Sequence, residues 1–238
     1  MTSYRAVVIG GTGAVGSSLV RELIASPYCE QVTALVRQEP TEGLFDDPQT
    51  KLRIQLVDMD QLGTEAVAPA RSCTAAFCTM GIGQPRKVSK EQFWKVDVEY
   101  AVAFARACKI AGASHFSLLS SVGANANSRS NYLHVKGVVE ERVSELGFER
   151  VSLFRPSLLV TKQIRYGLQD RVTQALFPIA ARFLADRYHP IPVEELGRAM
   201  RLNAERAGQS GVEALTYREF RGLLDAESPI PRVRGTGV

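Results

Sequence analysis

Long apolar runs are missing from this chain of 238 residues, which excludes a membrane-spanning helix by sequence pattern. Also missing is an N-terminal basic stretch followed by an apolar core and a cleavage site, so the expectation is a cytoplasmic protein without a secretory leader. Histidine is scarce. His115, His134 and His189 are scattered, none has a second ligand at helical spacing, and no metal site is expected. The four cysteines, Cys29, Cys73, Cys78 and Cys108, form no C-x-x-C pair and lie in or near apolar segments, which reads as free thiols and not as a redox or zinc motif. Charge of one sign is lacking too. With 29 basic and 25 acidic residues the net charge is +4, too mild and too dispersed for a nucleic-acid footprint, although Arg232 and Arg234 leave the C-terminus slightly basic. No internal repeat and no low-complexity linker divides the chain, and 45% hydrophobic residues suffice for one substantial core.

What the chain does have is glycine at informative places. The apolar run Ala6-Val7-Val8-Ile9 leads directly into Gly10-Gly11-Thr12-Gly13-Ala14-Val15-Gly16. A strand, three glycines at three-residue spacing and then a helical pattern open a dinucleotide-binding βαβ unit. Gly10 permits the tight turn off the strand, Gly13 lets backbone N–H groups approach a pyrophosphate, and Gly16 lets the helix pack closely. The loop from Gly10 through Thr12, Gly13, Ala14, Val15 and Gly16 is therefore the expected diphosphate cradle, at a helix N-terminus whose free N–H groups and macrodipole favour negative charge. Val15, Leu19 and Leu23 continue as one helical face until Ser26-Pro27 stops it.

Further along, strands are predicted at residues 31–36, 53–57, 75–78, 115–119 and 151–154, with a loop at 39–48. Phe93, Val96, Tyr100, Ala103, Ala107 and Ala111 predict one long amphipathic helix, capped by Ser89 and Gln92 and followed by Gly112. A second helix over 132–146 turns Val135, Val139, Val143 and Leu146 inward. This alternation implies an α/β fold, a Rossmann-type doubly wound parallel sheet with helices on both faces, in one domain of residues 1–238. Its core spans about 1–156. Beyond Arg155-Pro156 the rhythm breaks, and about 157–225 is expected to be a small C-terminal substrate or lid segment, the lid proper at 157–192. Helices at 169–185 and 193–206, a short strand at 213–217 and a loose tail at 226–238 complete the expectation.

Tyr132-Leu133-His134-Val135-Lys136 puts a phenol and an ammonium four residues apart, on one helical face. Ser120-Ser121 ends the strand just upstream, so right-handed crossovers bring hydroxyl, phenol and ammonium to the sheet edge that carries the glycine loop. In order, GGTGAVG, LLSSVGA, YLHVK and FRPS over residues 4–157 resemble the short-chain dehydrogenase/reductase superfamily. The run SSVGANANSRSNYLHVKGVVEERV, followed by SLFRPSLL, resembles its atypical branch, the Tat-interacting metastasis-suppressor oxidoreductase group and its bacterial relatives, as far as about residue 225.

That resemblance implies an NAD(P)-binding oxidoreductase acting on a small carbonyl or alcohol. A free tyrosine ionises near pH 10, and a neighbouring ammonium together with an oxidised nicotinamide favours the phenolate, so Tyr132 is the implied acid/base. Ser121, with Ser120 as its competitor, would hydrogen-bond the substrate oxygen. Lys136 would contact the nicotinamide ribose. Asp97 stands where members of the family commonly place a proton-relay asparagine. Asp58 would meet the adenine, Cys78-Thr79-Met80-Gly81 would line the adenosine ribose, and Pro156 would complete the cofactor contacts. An arginine, Arg37, follows the second strand where NAD enzymes place a carboxylate, which favours NADP, while Glu39 keeps NAD open. A non-catalytic NADPH-binding regulator is the alternative function, and a homodimer is compatible with the sequence without being required by it. A nucleotide-sugar epimerase would use the same residues, but the segment after Pro156 is short for a sugar-nucleotide domain.

Overall fold

The computed structural model describes residues 3–161, 186–208 and 210–227. The main sheet has seven strands, β1 (Tyr4–Ile9), β2 (Cys29–Val36), β3 (Leu52–Leu56), β4 (Ala75–Cys78), β5 (His115–Leu119), β6 (Arg150–Phe154) and β9 (Gly211–Leu215). Their order is β3-β2-β1-β4-β5-β6-β9, and every neighbouring pair is parallel. The chain builds outwards from β1 in one direction and then returns past it to β4. The switch of direction opens a crevice between β1 and β4 at the carboxyl ends of the strands, where open α/β sheets bind ligands.

Because both faces are covered, successive strand residues feed two cores in turn. On one side Val7, Ile9, Ala76, Cys78, Phe116 and Leu118 pack against the short helices α2 (Leu62–Glu65) and α3 (Val67–Ala70) and against the helices around Phe93, Phe104 and Val139. On the other, Ala6, Val8, Phe77 and Phe154 meet α1 (Ala14–Ala25), α7 (Val193–Glu205) and α8 (Tyr217–Glu227). The predicted strands fall within two residues of those observed. No helix among the described residues is long and apolar enough to cross a membrane, and among them no cluster of ligands could hold a metal ion.

The long helix predicted after Phe93 is corrected in one respect. It consists of α4 (Lys90–Trp94), a π-helical segment Lys95–Tyr100, and α5 (Ala101–Ile110). Its start is capped as expected, Ser89 Oγ accepting from the Gln92 N–H at 3.1 Å. The wider π turn absorbs an extra residue and rotates the inward face, so that Val96, Tyr100, Ala103 and Ala111 are only partly buried while Asp97, Val98, Ala101 and Phe104 lie inside. A regular 3.6-residue count cannot anticipate that rotation, and it is what carries Asp97 into the interior.

Residues 193–227 are part of the layered core and not a lid over the sheet edge. Arg201 of α7 pairs with Glu205 at 2.6 Å, with Glu22 of α1 at 3.1 Å and with Glu227 of α8, while Tyr4 and Ser26 donate their hydroxyls to Glu205. This network ties the C-terminal helices to the start of β1 and the end of α1, and β9 extends the sheet beyond β6. The core therefore runs past residue 156, and the helix α8 was not anticipated. Of residues 157–192, where a lid is expected, the described ends form a small parallel pair, β7 (Leu159–Val160) with β8 (Ile191–Pro192). The helix expected at 169–185, and the tail beyond 227, lie outside the described residues.

Beneath β5 and β6 sits a buried polar cluster. His115 Nε2 lies 2.8 Å from Ser152 Oγ, which donates to Glu213 at 2.7 Å and accepts from Asn203 at 2.8 Å. Burial, with the nearby Arg150 guanidinium, pushes the His115 pKa down to about 3. The folded value lies below the unfolded value of about 6.5, so between these pH values the unfolded chain binds the extra proton and stability is lost as pH falls. Denaturant melts at pH 8 and pH 5 are expected to differ through this group by about 2 kcal/mol. His115→Gln should remove that part of the pH slope, and an unchanged slope would exclude His115 as its source.

Candidate active site

The turn after β1 is built by close backbone approach. Gly10 has φ +80°, and a Cβ there would lie 2.5 Å from the Met80 amide nitrogen. A Cβ on Gly16 would lie 2.1 Å from the Gly10 carbonyl oxygen and 2.6 Å from Thr79 Oγ1. Only glycine fits either position, so α1 begins hard against the ends of β1 and β4. Its N-cap, Gly13, provides no side-chain cap, and its first turn carries no acidic residue. The internal ladder begins with the Ser17 N–H to the Gly13 carbonyl at 2.8 Å, and helix geometry leaves the amides of Ala14, Val15 and Gly16 without carbonyl partners inside the helix. Unpaired N–H groups with no nearby carboxylate fit a diphosphate in this crevice.

The second cluster sits beside β4 as a paired set. Lys136, on α6 (Asn131–Ser144), is buried, and its Nζ lies 2.8 Å from Asp97 Oδ1. The other carboxylate oxygen of Asp97 accepts from the Ile82 N–H at 2.9 Å. The chain passes directly over this pair, since a Cβ on Gly81 would lie 3.0 Å from Asp97 Oδ1 and 3.3 Å from Lys136 Nζ. Burial opposes the Lys136 ammonium, but the Asp97 carboxylate, helped by Tyr132, outweighs it and raises its pKa above the ordinary lysine value. Removing one partner of such a buried pair costs about 3–5 kcal/mol, because the other charge is left without compensation.

Tyr132, in the first turn of α6, is 37% exposed, and its ring stacks on Phe93 with centroids 6.1 Å apart and planes at 7°. The two serines differ. Ser121 Oγ reaches the Val122 carbonyl at 3.4 Å, whereas Ser120 Oγ is buried and has no hydrogen-bond partner among the described residues. A hydroxyl left so costs about 1–3 kcal/mol, a cost that a ligand oxygen would relieve. The Ser120 N–H donates to the Phe154 carbonyl at 2.7 Å, which continues the β5 ladder by one residue. Strand alternation then turns Ser120 to the face that holds Phe116 and Leu118, the face on which α6 packs.

Other expected contacts are placed less uniformly. Thr79 Oγ1 is engaged at 3.0 Å with the Ile9 carbonyl, and the Cys78 side chain is fully buried, its thiol pushed up to about 12 by burial. Toward a ribose, Cys78 thus offers backbone alone. Met80 is partly buried, Gly81 is exposed, and the buried Pro156 accepts from the Val122 N–H at 2.9 Å. Asp58 is exposed and uses one carboxylate oxygen to cap the following turn at the Asp60 N–H, 2.9 Å away. Arg37 is exposed at the end of β2, with Gln38 and Glu39 beside it also exposed.

One residue that shapes the site went unread in the sequence. A Cβ on Gly137 would lie 2.1 Å from the Ala126 amide nitrogen and 2.1 Å from the Asn125 carbonyl carbon. The turn that carries the serines crosses α6 there, held by the Asn125 N–H on the Leu133 carbonyl and by His134 Nδ1 against the Ala126 carbonyl oxygen. The available signal was a glycine in the middle of a helical pattern, directly after Lys136.

A seven-stranded parallel sheet, a glycine turn at its switch point and a lysine-bearing helix beside it define an NAD(P)-binding Rossmann protein of oxidoreductase type. The chain belongs to the NAD(P)H-binding family, whose model matches residues 10–146. Protein HTATIP2 of Rattus norvegicus is 31% identical over 231 residues, covering 96% of this chain and 93% of that protein. "Protein FMP52, mitochondrial" of Candida albicans is 30% identical over 171 residues, covering 71% of this chain and 73% of the relative. Among solved structures, MoeE5 in complex with UDP-glucuronic acid and NAD shares the fold with a TM-score of 0.68 at 18% identity, over 89% of this chain and 75% of its own.

Gly137→Ala provides a test of the site's scaffolding by sign. In an open helix this change gains about 1 kcal/mol. Here the crossing turn must move, and a loss of roughly 1–3 kcal/mol is expected in chemical denaturation. A stabilised variant would mean that the turn does not lie on α6.

Proposed function

We propose that this protein is an NADP-dependent oxidoreductase of the short-chain dehydrogenase/reductase type, acting on a small carbonyl or alcohol with Tyr132 as acid/base. One arrangement carries the reading: the buried, ion-paired Lys136 lies one helical turn from Tyr132, and the Ser120 hydroxyl, without a partner among the described residues, stands at the end of β5 on the sheet edge that also carries the glycine crevice. When bound, the nicotinamide supplies or accepts the hydride.

The chain's own groups do the rest. The amides at the start of α1 hold the diphosphate. Lys136 spends one ammonium N–H on Asp97 and keeps two more for the ribose hydroxyls. Its positive charge stands beside the phenol, which passes a proton to the substrate oxygen during reduction and takes it back during oxidation. Ser120 donates to the same oxygen and holds it at the phenol, a role for which its hydroxyl, without a partner among the described residues, suits it better than Ser121. Asp97 is a positioning residue, joining Lys136 to the turn after β4. Arg37 supplies a planar guanidinium for a 2′-phosphate. In this proposal the substrate is a small molecule, nucleic acid and membrane are not partners, a homodimer is allowed, and the location is cytoplasmic.

A non-catalytic NADPH-binding regulator is the second reading, favoured by the Tyr132 ring, which rests on Phe93 and whose hydroxyl makes no hydrogen bond among the described residues. NADPH oxidation against a panel of aldehydes and ketones separates the two. Tyr132→Phe and Ser120→Ala are each expected to lower turnover by about 100-fold or more with NADPH affinity retained, and Ser121→Ala to change it far less. Binding of NADPH by wild type with no turnover of any carbonyl would favour the regulator.

Cofactor choice is tested separately. Arg37→Ala is expected to weaken NADPH binding by about tenfold or more while leaving NADH nearly unchanged. Equal losses for both would assign Arg37 no part in reading the phosphate.

A further inference from the structure

The rim of the proposed site carries charge of one sign. Residues 79–90, from the end of β4 to the start of α4, include Arg86, Lys87 and Lys90 and no Asp or Glu. Residues 120–131, from the end of β5 to the start of α6, include Arg129 and likewise no Asp or Glu. All four cations are exposed, and none forms a salt bridge among the described residues. Against them stands Glu91, next to Lys90, while the inward Asp97 is already taken by Lys136. Other carboxylates are spent elsewhere: Glu22, Glu205 and Glu227 converge on Arg201 near the opposite edge of the sheet, where β1 starts.

Two ring contacts bring this rim to the reacting groups. Phe93 of α4 stacks on Tyr132, and the neighbouring Trp94 lies 6.2 Å from His134, so α4 and the first turn of α6 are packed side by side. Lys90 is one turn before Phe93, and the Pro85–Lys87 turn leads into it. Arg129 stands just before Ser130, the N-cap of α6, whose side chain makes no cap bond. The first-turn amides of α6 are therefore additional positive ends at the same edge.

We propose that the substrate of this site carries an anionic group, a carboxylate or a phosphate, besides its carbonyl, and that Arg86, Lys87, Lys90 and Arg129 receive it. The inference rests on the oxidoreductase reading and narrows its substrate class. Cations lining one side of a cleft raise the local concentration of an anion and speed its capture, and a guanidinium can grip either oxyanion with two parallel N–H bonds. Because these charges are exposed, salt screens them over about 10 Å at 0.1 M, so the preference must fade as ionic strength rises.

The test is calorimetric titration of the full chain preloaded with NADP+, which holds the site in a form that cannot reduce an aldehyde. The probes are 4-carboxybenzaldehyde against 4-(hydroxymethyl)benzaldehyde, and glyceraldehyde 3-phosphate against glyceraldehyde. In at least one pair the anion is expected to bind about tenfold more tightly near 50 mM salt, with the gap closing near 500 mM. The pair that shows the gap identifies the oxyanion. Replacing Arg86, Lys87 and Lys90 together with Gln, or Arg129 alone, should shrink the gap, and Arg71→Gln, on the turn after α3, should leave it intact; circular dichroism checks folding. Equal binding within both pairs, binding of none of the four probes, or a gap undiminished in the triple variant would overturn the proposal. Uptake of NADP+ is measured first on the same sample. A chain that takes up none refutes the oxidoreductase reading, and titration of the aldehydes onto the free chain still decides the question of charge.

Discussion

The buried pair of Lys136 and Asp97 is the interaction on which the site's architecture depends. Three elements meet at it: α6 brings the ammonium, the π-helical segment between α4 and α5 brings the carboxylate, and the turn after β4 donates the Ile82 N–H. Neither charge is tolerable at this depth alone, so the position of each is dictated by the other. That constraint fixes how far α6 stands from β4. It thereby sets where Tyr132, one turn earlier, meets the sheet edge.

A second constraint works through absent side chains. Gly10 and Gly16 let the first turn close onto Met80 and Thr79, and Gly137 lets the serine-bearing turn lie across α6. In each case backbone atoms occupy the space in which a Cβ would have to sit. The crevice between β1 and β4 thus has walls of main chain, which cost no side-chain entropy to hold in place and present N–H groups directly. The ion pair and the glycines act on the same edge of the sheet, one placing charge and the other placing amides. The opposite edge is held by different means, with Arg201 gathering Glu22, Glu205 and Glu227 so that the C-terminal helices stay on the α1 face.

Much of this was legible in the chain because it is local. The strand Ala75–Cys78 is a continuous apolar run and His115–Leu119 a short, mostly apolar one, and the ends of both coincide with the prediction. The glycine spacing, the Ser89 cap and the four-residue step from Tyr132 to Lys136 are likewise short-range patterns. Missed or misread features involve a partner distant in sequence. Gly137 admits Asn125 and Ala126, and residues 193–227 join the sheet through the pairing of β9 with β6 and the core through contacts with Glu22 and Tyr4.

By itself, then, the sequence determined the parallel α/β class, the glycine turn after β1 and the residue types at the edge of the sheet, because periodicity and glycine placement act within a few residues. Only the tertiary structure decided that Asp97 faces Lys136, that Ser120 and not Ser121 is left without a partner among the described residues, and that the turns after β4 and β5 lie side by side on one edge of the sheet. The physical reason is that a π turn shifts a helix face by an amount no regular repeat encodes, and that burial and charge pairing are properties of space, not of spacing along the chain.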